Sequence, residues 1–417
     1  MQSTPTRREF LKQAAVAGSA AVAMSASSYA KVIGANDRIG VGVIGCGERG
    51  RGAHMPGAHR WDKELNLEIT AVCDVWKVAS REAAAMTKDW YGREAAQYAS
   101  YRELIADKNV DAVMIASCDH QHTTHLKAAA DAGKHAYCEK PLSMDIASLN
   151  AAYDAVKASG VVVQIGTQLR SLPSMAGARD LYRTGTLGTV GRIEQMRNDP
   201  RPYWYSRMKP DVKEEDVDWK EFLLDRPMEP FHPIRYSGWY GYRSFSDGTV
   251  PGYGAHFIDL VHFITGAQFP ISAVCMGGTY TWKDENNFDC PDCVQAIWTY
   301  PEFQVTYSTN CGNGSGDSFR IFGSQACMDL VDWDHPFVTS EGAGKPDGRK
   351  AEKVMVQETA MPDHVQDWLQ CIRSGGTPNA SMDAGYQHAV AVVLAMRAFD
   401  ANRRMIFDAE KREIREG

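Results

Sequence analysis

The chain has 417 residues, 44% of them apolar and 23% charged, with a formal net charge of −7 at neutral pH. That length allows two ordinary globular domains, and an acidic balance without any basic run argues against a nucleic-acid binder. Ten cysteines would permit disulfides in an oxidising compartment, but Cys46, Cys73, Cys118 and Cys138 fall at predicted strand ends where small buried residues are usual, so free thiols or one local bridge are expected.

In chain order, the first element is an export signal. Thr6-Arg7-Arg8-Glu9-Phe10-Leu11-Lys12 precedes a mildly apolar run, Ala14 to Ala26, and Ser28-Tyr29-Ala30 fits a small-x-small cleavage site. The order charged, apolar, cleavable is that of a secretory signal, and the paired arginines point to the twin-arginine (Tat) machinery. Residues 1–30 are therefore expected to be removed, leaving an exported, periplasmic-type protein two charges more negative than the full chain. No later segment reaches the ~18 uninterrupted apolar residues of a membrane span.

Ile39 to Ile44 is a short β-branched run that suits a buried parallel strand. It feeds Gly45-x-Gly47-x-x-Gly50, a dinucleotide-binding turn in which the glycines allow a tight turn, close approach to a pyrophosphate, and helix-on-strand packing. A second strand, Glu68 to Cys73, ends at Asp74, placed to accept hydrogen bonds from the adenosine ribose and to repel a 2′-phosphate. NAD is thus preferred, while Arg49 and Lys77 lie near enough in sequence to leave NADP open. A helix over 78–91, a strand over 111–117 ending at Cys118-Asp119-His120-Gln121-His122, a helix through Ala132, and a strand His135 to Cys138 continue a β-α-β alternation. That alternation predicts a doubly wound parallel sheet with ligands at the strands' carboxyl ends. His120, His122 and His125 lack a carboxylate or cysteine partner at metal-site spacing, and the single CxxC, Cys290 to Cys293, has no second pair, so no metal is expected.

These residues resemble the glucose-fructose oxidoreductase / inositol dehydrogenase / rhizopine-catabolism (Gfo/Idh/MocA) family. The resemblance is carried by Gly-Val-Ile-Gly-Cys-Gly at 42–47, Ala-Val-Cys-Asp at 71–74, Asp119-His120-x-His122, and Ala-Gly-Lys-His-Ala-Tyr-Cys-Glu-Lys-Pro-Leu at 132–142. Gly254 to Asp259 is similar to the family's second catalytic motif. The resemblance implies an α/β chain: a Rossmann domain, here 38–160, and a C-terminal α/β domain, 161–417, with a large, mostly antiparallel sheet often used for homo-oligomer contacts. It implies NAD or NADP and a sugar- or polyol-like substrate. Strand-like runs at 161–165, 191–197, 271–281, 293–300, 303–307 and 319–322, with helices near 175–184, 255–265 and 362–374, are compatible with it.

Hydride transfer at an alcohol carbon needs a nicotinamide held face-on, a base for the hydroxyl proton, and groups that orient the alcohol. Lys140, in the Glu139-Lys140-Pro141 loop, is the first candidate, for burial and a nearby oxidised nicotinamide both lower an ammonium pKa. His256 is the second catalytic candidate, with Asp259 beside it as a substrate contact. The resemblance implies an Asp four residues before that His, and this chain has Gly252 there. Three readings stay open: Lys140 carries the proton alone, another side chain (Asp247 or Tyr253 among them) has taken the role, or the chain binds without efficient turnover. The candidate cofactor contacts are Gly45, Gly47, Glu48, Arg49, Gly50, Asp74, Ser117, His122, Glu139, Lys140 and Gln168.

Between Asp199 and Phe245 lie eleven aromatic residues interleaved with Arg201, Arg207, Arg235 and Arg243. Such a segment reads either as a sugar-stacking lid or as core and interface packing. Export matters to the chemistry, because outside the cytoplasm little free NAD is available. The cofactor is therefore expected to be tightly bound and recycled in place, by an oxidoreductase or, alternatively, by a redox-neutral glycoside-cleaving enzyme; a non-catalytic ligand-binding relative is the third alternative.

Overall fold

The computed structural model describes residues 37–341 and 352–417, so the expected export signal lies outside the described residues. Six strands form a parallel sheet: β1 (Ile39–Ile44), β2 (Leu67–Cys73), β3 (Ala96–Tyr98), β4 (Ala112–Ile115), β5 (His135–Cys138) and β6 (Val163–Ile165), in the spatial order β3-β2-β1-β4-β5-β6. All six residues of β1 are buried, as its lack of polar alternation requires of a central strand covered on both faces. The order reverses between β1 and β4, and the carboxyl ends there open the crevice in which this sheet type binds ligands.

Two assignments differ from the sequence reading. The run 161–165, expected beyond the first domain, pairs in parallel with β5 and closes the first sheet. The helix expected near 362–374, observed at His364–Ser374, flanks not the second sheet but the first. Its buried face of Trp368, Leu369 and Cys371 joins the core of Val41, Ile69 and Tyr137, and Arg373 donates to the carbonyls of Asp37, Leu65 and Asn66. An amphipathic helix carries no mark of which sheet it will cover; the cavity that fits its tryptophan decides.

The remaining strands are β7 (Val190–Asn198), β8 (Ser272–Gly278), β9 (Cys293–Thr299), β10 (Gln304–Asn310), β11 (Ser318–Gly323), β12 (Cys327–Asp329), β13 (Phe337–Thr339), β14 (Lys353–Met355), β15 (Met405–Asp408) and β16 (Glu413–Glu416). They form one sheet in the order β14-β13-β12-β11-β7-β10-β9-β8-β15-β16, antiparallel except where β7 runs parallel to β10. Alternation along β9 and β10 turns Val294, Ala296, Trp298, Val305 and Tyr307 inward. That face packs on the helices Ala255–Thr265 and Met382–Ala401, and Trp298 Nε1 donates to the Ala391 carbonyl at 2.7 Å. The opposite face leaves Val274, Met276 and Ile297 exposed.

All ten cysteines are unpaired and nine are buried, among them Cys46, Cys73, Cys118 and Cys138 at or just beyond the ends of β1, β2, β4 and β5. Between β7 and the helix at 255, the chain leaves the second sheet and returns over the first domain. This excursion positions the site.

Candidate active site

The crevice at the carboxyl ends of β1, β2 and β4 is a cleft of about 790 Å³. Its floor is the glycine turn. Gly45 has φ +91°, and a Cβ there would lie 2.5 Å from the Ala116 carbonyl, so only glycine permits the turn against β4. A Cβ on Gly50 would fall under 3.0 Å from the Gly45 oxygen. A Cβ on Gly47 would meet nothing within 4 Å among the described residues beyond its chain neighbours, so the backbone there lies bare toward the cleft. That is the space a pyrophosphate needs.

Asp74 follows β2 and lines the cleft. Its carboxylate accepts from Cys46 N at 2.6 Å and Trp76 N at 2.8 Å, which fixes it against the glycine turn. Burial lifts its pKa to about 6 even against those two amides. The two cations that leave NADP open in the sequence are both occupied. Arg49 Nε bonds Glu139 at 2.7 Å, and Lys77 Nζ bonds the Glu215 carbonyl at 2.7 Å.

Glu139 closes the far end of β5. Burial pushes its carboxyl up, but the adjacent His54 ring, 3.0 Å away, and the charges of Arg49 and Lys140 outweigh this and hold it well below the usual range. Gln168 Nε2 contacts the same oxygen at 3.2 Å and Tyr137 Oη at 2.7 Å. A Cβ on Gly166 would sit 2.8 Å from the Glu139 carboxyl, so a bare backbone at 166 is a condition of this arrangement.

Lys140 Nζ donates to the Gly252 carbonyl at 2.8 Å, joining the β5 loop of the first domain to the turn before the helix at 255. Burial lowers its pKa, with Glu139 and Asp119 opposing and Arg49 adding to the shift. His256 lines the same wall; burial and the Lys140 charge bring its pKa to about 3, and its Nδ1 has no hydrogen-bond partner among the described residues. The bare backbone at Gly47, the anchored Asp74 and this unpartnered imidazole nitrogen, all lining one cleft, would suit a dinucleotide.

The excursion over 199–254 forms a roof. Its inner face is aromatic core, with Trp204, Tyr205, Trp219, Phe222 and Phe245 packed together, and its cleft face presents Tyr203, Tyr236, Trp239 and Tyr240. The packing reading therefore holds for the inner residues, while these four aromatics face the cleft. The roof is fastened to the first domain. Asp218 N bonds the Val75 carbonyl at 2.8 Å, Glu221 takes Ser100 Oγ at 2.8 Å and Arg102 at 3.1 Å, and Gln121 Nε2 bonds the Phe222 carbonyl at 2.8 Å. Arg207 pairs with Glu48 across the cleft mouth.

The family models that match are those of the oxidoreductase family NAD-binding Rossmann fold, over residues 39–167, and of its C-terminal alpha/beta domain, over 222–406. The chain belongs to the Gfo/Idh/MocA oxidoreductase family. Similar proteins include inositol 2-dehydrogenase of Salmonella typhimurium, 32% identical over 36% of this chain and 41% of that protein. Levoglucosan dehydrogenase of Pseudarthrobacter phenanthrenivorans is 27% identical over 59% of this chain and 55% of its own. The chain spans roughly half the length of the curated relatives it matches. Among solved structures, levoglucosan dehydrogenase in complex with NADH shares the fold at a TM-score of 0.66 and 19% identity, covering 88% of this chain and 98% of that one. The WlbA dehydrogenase from Bordetella pertussis, in complex with NADH and UDP-GlcNAcA, does so at 0.66 and 17%, covering 89% and 99%.

Of the family-derived expectations, Asp259 is corrected. It does not touch the cleft; it is fully buried behind the helix, with Oδ2 2.7 Å from Arg170 Nε and Oδ1 3.4 Å from His388 Nδ1. The helices at 255–265 and 382–401 pack face to face there, and a buried guanidinium claims the carboxylate. Asp247 likewise lies elsewhere, 3.0 Å from Arg243. Tyr253 lines the cleft, with its hydroxyl donated to Asp199. Ser117 and His122 also line it, and they brace it: His122 spans the Pro141 and Ser117 carbonyls at 2.7 and 3.0 Å, and Ser117 Oγ meets His125 at 3.0 Å.

Sequence reasoning did not single out His54, Trp76, Asp119 or Tyr203 as site residues. Asp119 lines the cleft, and burial lifts its carboxyl to about 7 despite a 2.7 Å bond from Ser246 Oγ. Its place in the Asp-His-x-His motif was a signal; for His54 and Tyr203 the sequence held none beyond composition.

Proposed function

We propose that this protein interconverts a carbinol and the corresponding carbonyl of a sugar, polyol or derivative, acts outside the cytoplasm, and keeps its NAD bound between turnovers. The observation that carries this reading is that Gly47, Asp74, Glu139, Lys140 and His256 line one roofed cleft. When bound, the dinucleotide supplies the two-electron acceptor or donor; alcohol oxidation gives it a hydride from carbon and leaves one proton from oxygen for the protein.

Lys140 holds that proton at Nζ. Burial lowers its pKa, which favours the neutral amine over an ordinary lysine, and the Gly252 carbonyl orients it. His256 stays neutral, so it hydrogen-bonds the substrate rather than adding charge. Asp74 receives the ribose, and with Arg49 and Lys77 already paired, NAD is preferred over NADP. The roof supports retention, because its bonds to the rim at Val75, Ser100 and Gln121 hold it over the cleft. Retention accords with the twin-arginine signal in residues 6–12, since that route moves folded proteins. The relatives named for inositol and levoglucosan supply the substrate class, and the apolar outer sheet face at Val274, Met276 and Ile297 supports a homo-oligomer.

The test is to purify the mature protein from the periplasm without added cofactor, denature it, and identify the released nucleotide. Stoichiometric NAD or NADH, together with absorbance change at the nicotinamide band on adding myo-inositol or levoglucosan, is expected. A nucleotide-free protein would refute the reading. Asp119 favours one alternative: a carboxyl titrating at about 7 in the cleft is the candidate acid for redox-neutral glycoside cleavage. Leaving-group release from aryl glycosides without net sugar oxidation would select it.

A further inference from the structure

Gly252 stands opposite Lys140, and the room beside it is taken. A Cβ at 252 would fall under 3.0 Å from Tyr203 Oη and 3.2 Å from the ring carbon that bears it. A side chain at 252 and the Tyr203 hydroxyl therefore exclude each other, and here the hydroxyl occupies the space. It arrives from the roof, not from the helix that carries His256.

The Tyr203 ring is held on three sides, edge-on to Trp204, Tyr240 and Tyr253 at centroid distances of 5.3, 5.3 and 5.1 Å. Among the described residues its hydroxyl has one hydrogen-bond partner, the Gly248 carbonyl at 3.4 Å, a long bond that a better acceptor would displace. Burial pushes its pKa well above the ordinary phenol value, with Asp119, Tyr253 and Tyr240 adding to the shift, so it stays a neutral donor and is not the base. Tyr203, Lys140, Gly252 and His256 line the same cleft.

The geometry points to Tyr203 as a catalytic residue that donates its hydroxyl hydrogen to the oxygen of the reacting carbinol, while Lys140 Nζ accepts that oxygen's proton. This rests on the carbinol oxidoreductase reading. A donor aimed at that oxygen gains strength as negative charge develops on it, which raises turnover more than ground-state binding. Tyr203 is thus the side chain that stands where a residue at 252 would otherwise reach.

The experiment compares the nucleotide-retaining wild type with Tyr203→Phe, Gly252→Ala and the double variant. It uses myo-inositol and levoglucosan as probes, with turnover, calorimetric polyol binding, nucleotide content and melting temperature read on each. Tyr203→Phe should keep nucleotide content, melting temperature and polyol affinity while losing about 100-fold in kcat, the loss typical of one oxyanion donor. Gly252→Ala should lose a comparable factor by displacing the hydroxyl, and the double variant should be no slower than the slower single variant. A Tyr203→Phe protein within twofold of wild-type kcat overturns the assignment, as does one that loses its nucleotide or melts early, which would mark a packing role. Additive losses in the double variant overturn the shared-space argument. A wild type that neither binds nor turns over these probes overturns the oxidoreductase reading and this assignment together, an outcome distinct from the others.

Discussion

Gly47→Ala separates the cofactor role of the glycine turn from its folding role. A methyl at 47 meets nothing within 4 Å among the described residues beyond its chain neighbours, so apo stability should change by no more than about 0.5 kcal/mol. The same methyl fills the space through which backbone amides approach a pyrophosphate. Losing one hydrogen bond to a charged group costs about 1.5–3 kcal/mol, or roughly 10- to 150-fold in affinity. NAD at 100 times its Kd stabilises the wild type by about 2.7 kcal/mol, and a 100-fold weaker site would leave about 0.4 kcal/mol. The assay is chemical denaturation of nucleotide-stripped protein with and without NAD, together with the nucleotide content of fresh preparations. Gly50→Ala is the contrast, since its Cβ would meet the Gly45 oxygen under 3.0 Å and should destabilise the apo protein by about 1–3 kcal/mol. A Gly47→Ala protein with wild-type NAD stabilisation, or one as unstable as Gly50→Ala, would refute the reasoning.

Asp259→Asn leaves Arg170 buried without its partner and should cost about 3–5 kcal/mol at pH 7. Burial opposes ionisation of Asp259, but the Arg170 charge outweighs it and holds the pKa at about 2, below its unfolded value; the stability it contributes is therefore present above the unfolded carboxylate pKa and lost as pH falls toward 2. Denaturation from pH 7 to pH 2 checks this, and a pH-independent gap between wild type and variant would contradict it. Oxidation rate should rise with pH as Lys140 loses its proton, with a midpoint below 10.5, and His256→Asn should leave that midpoint in place because His256 titrates at about 3. Rate–pH profiles of both proteins decide. Glu221→Ala removes a bond from Ser100 and a half-exposed ion pair with Arg102, about 1–2 kcal/mol together, and should speed nucleotide release by roughly 5- to 30-fold in a dilution chase.

The first domain was legible because its signals are local. The alternation of apolar runs with helices, the spacing of Gly45, Gly47 and Gly50, and Asp74 after β2 each follow from backbone sterics within a few residues. The short edge strand β3 and the strands β12 to β16 were not anticipated, because three or four residues carry too little period to be distinguished from loop. Asp259 was misjudged because a position on a helix does not disclose which neighbour a carboxylate meets. Its partners, Arg170 and His388, are 89 residues before it and well over a hundred after.

The amino-acid order by itself determined a dinucleotide turn, a lysine loop at the end of β5, and a broken motif at Gly252. Only the folded chain decided what surrounds them. Burial, which no single residue carries, lowers the Lys140 pKa and raises that of Asp119. Packing between distant segments brings Tyr203 to the space that glycine leaves open, and bends an aromatic excursion of the second domain over the first. Glycine at 252 reads as a loss along the chain and as room in three dimensions, because excluded volume acts between atoms that touch, whatever their separation in sequence.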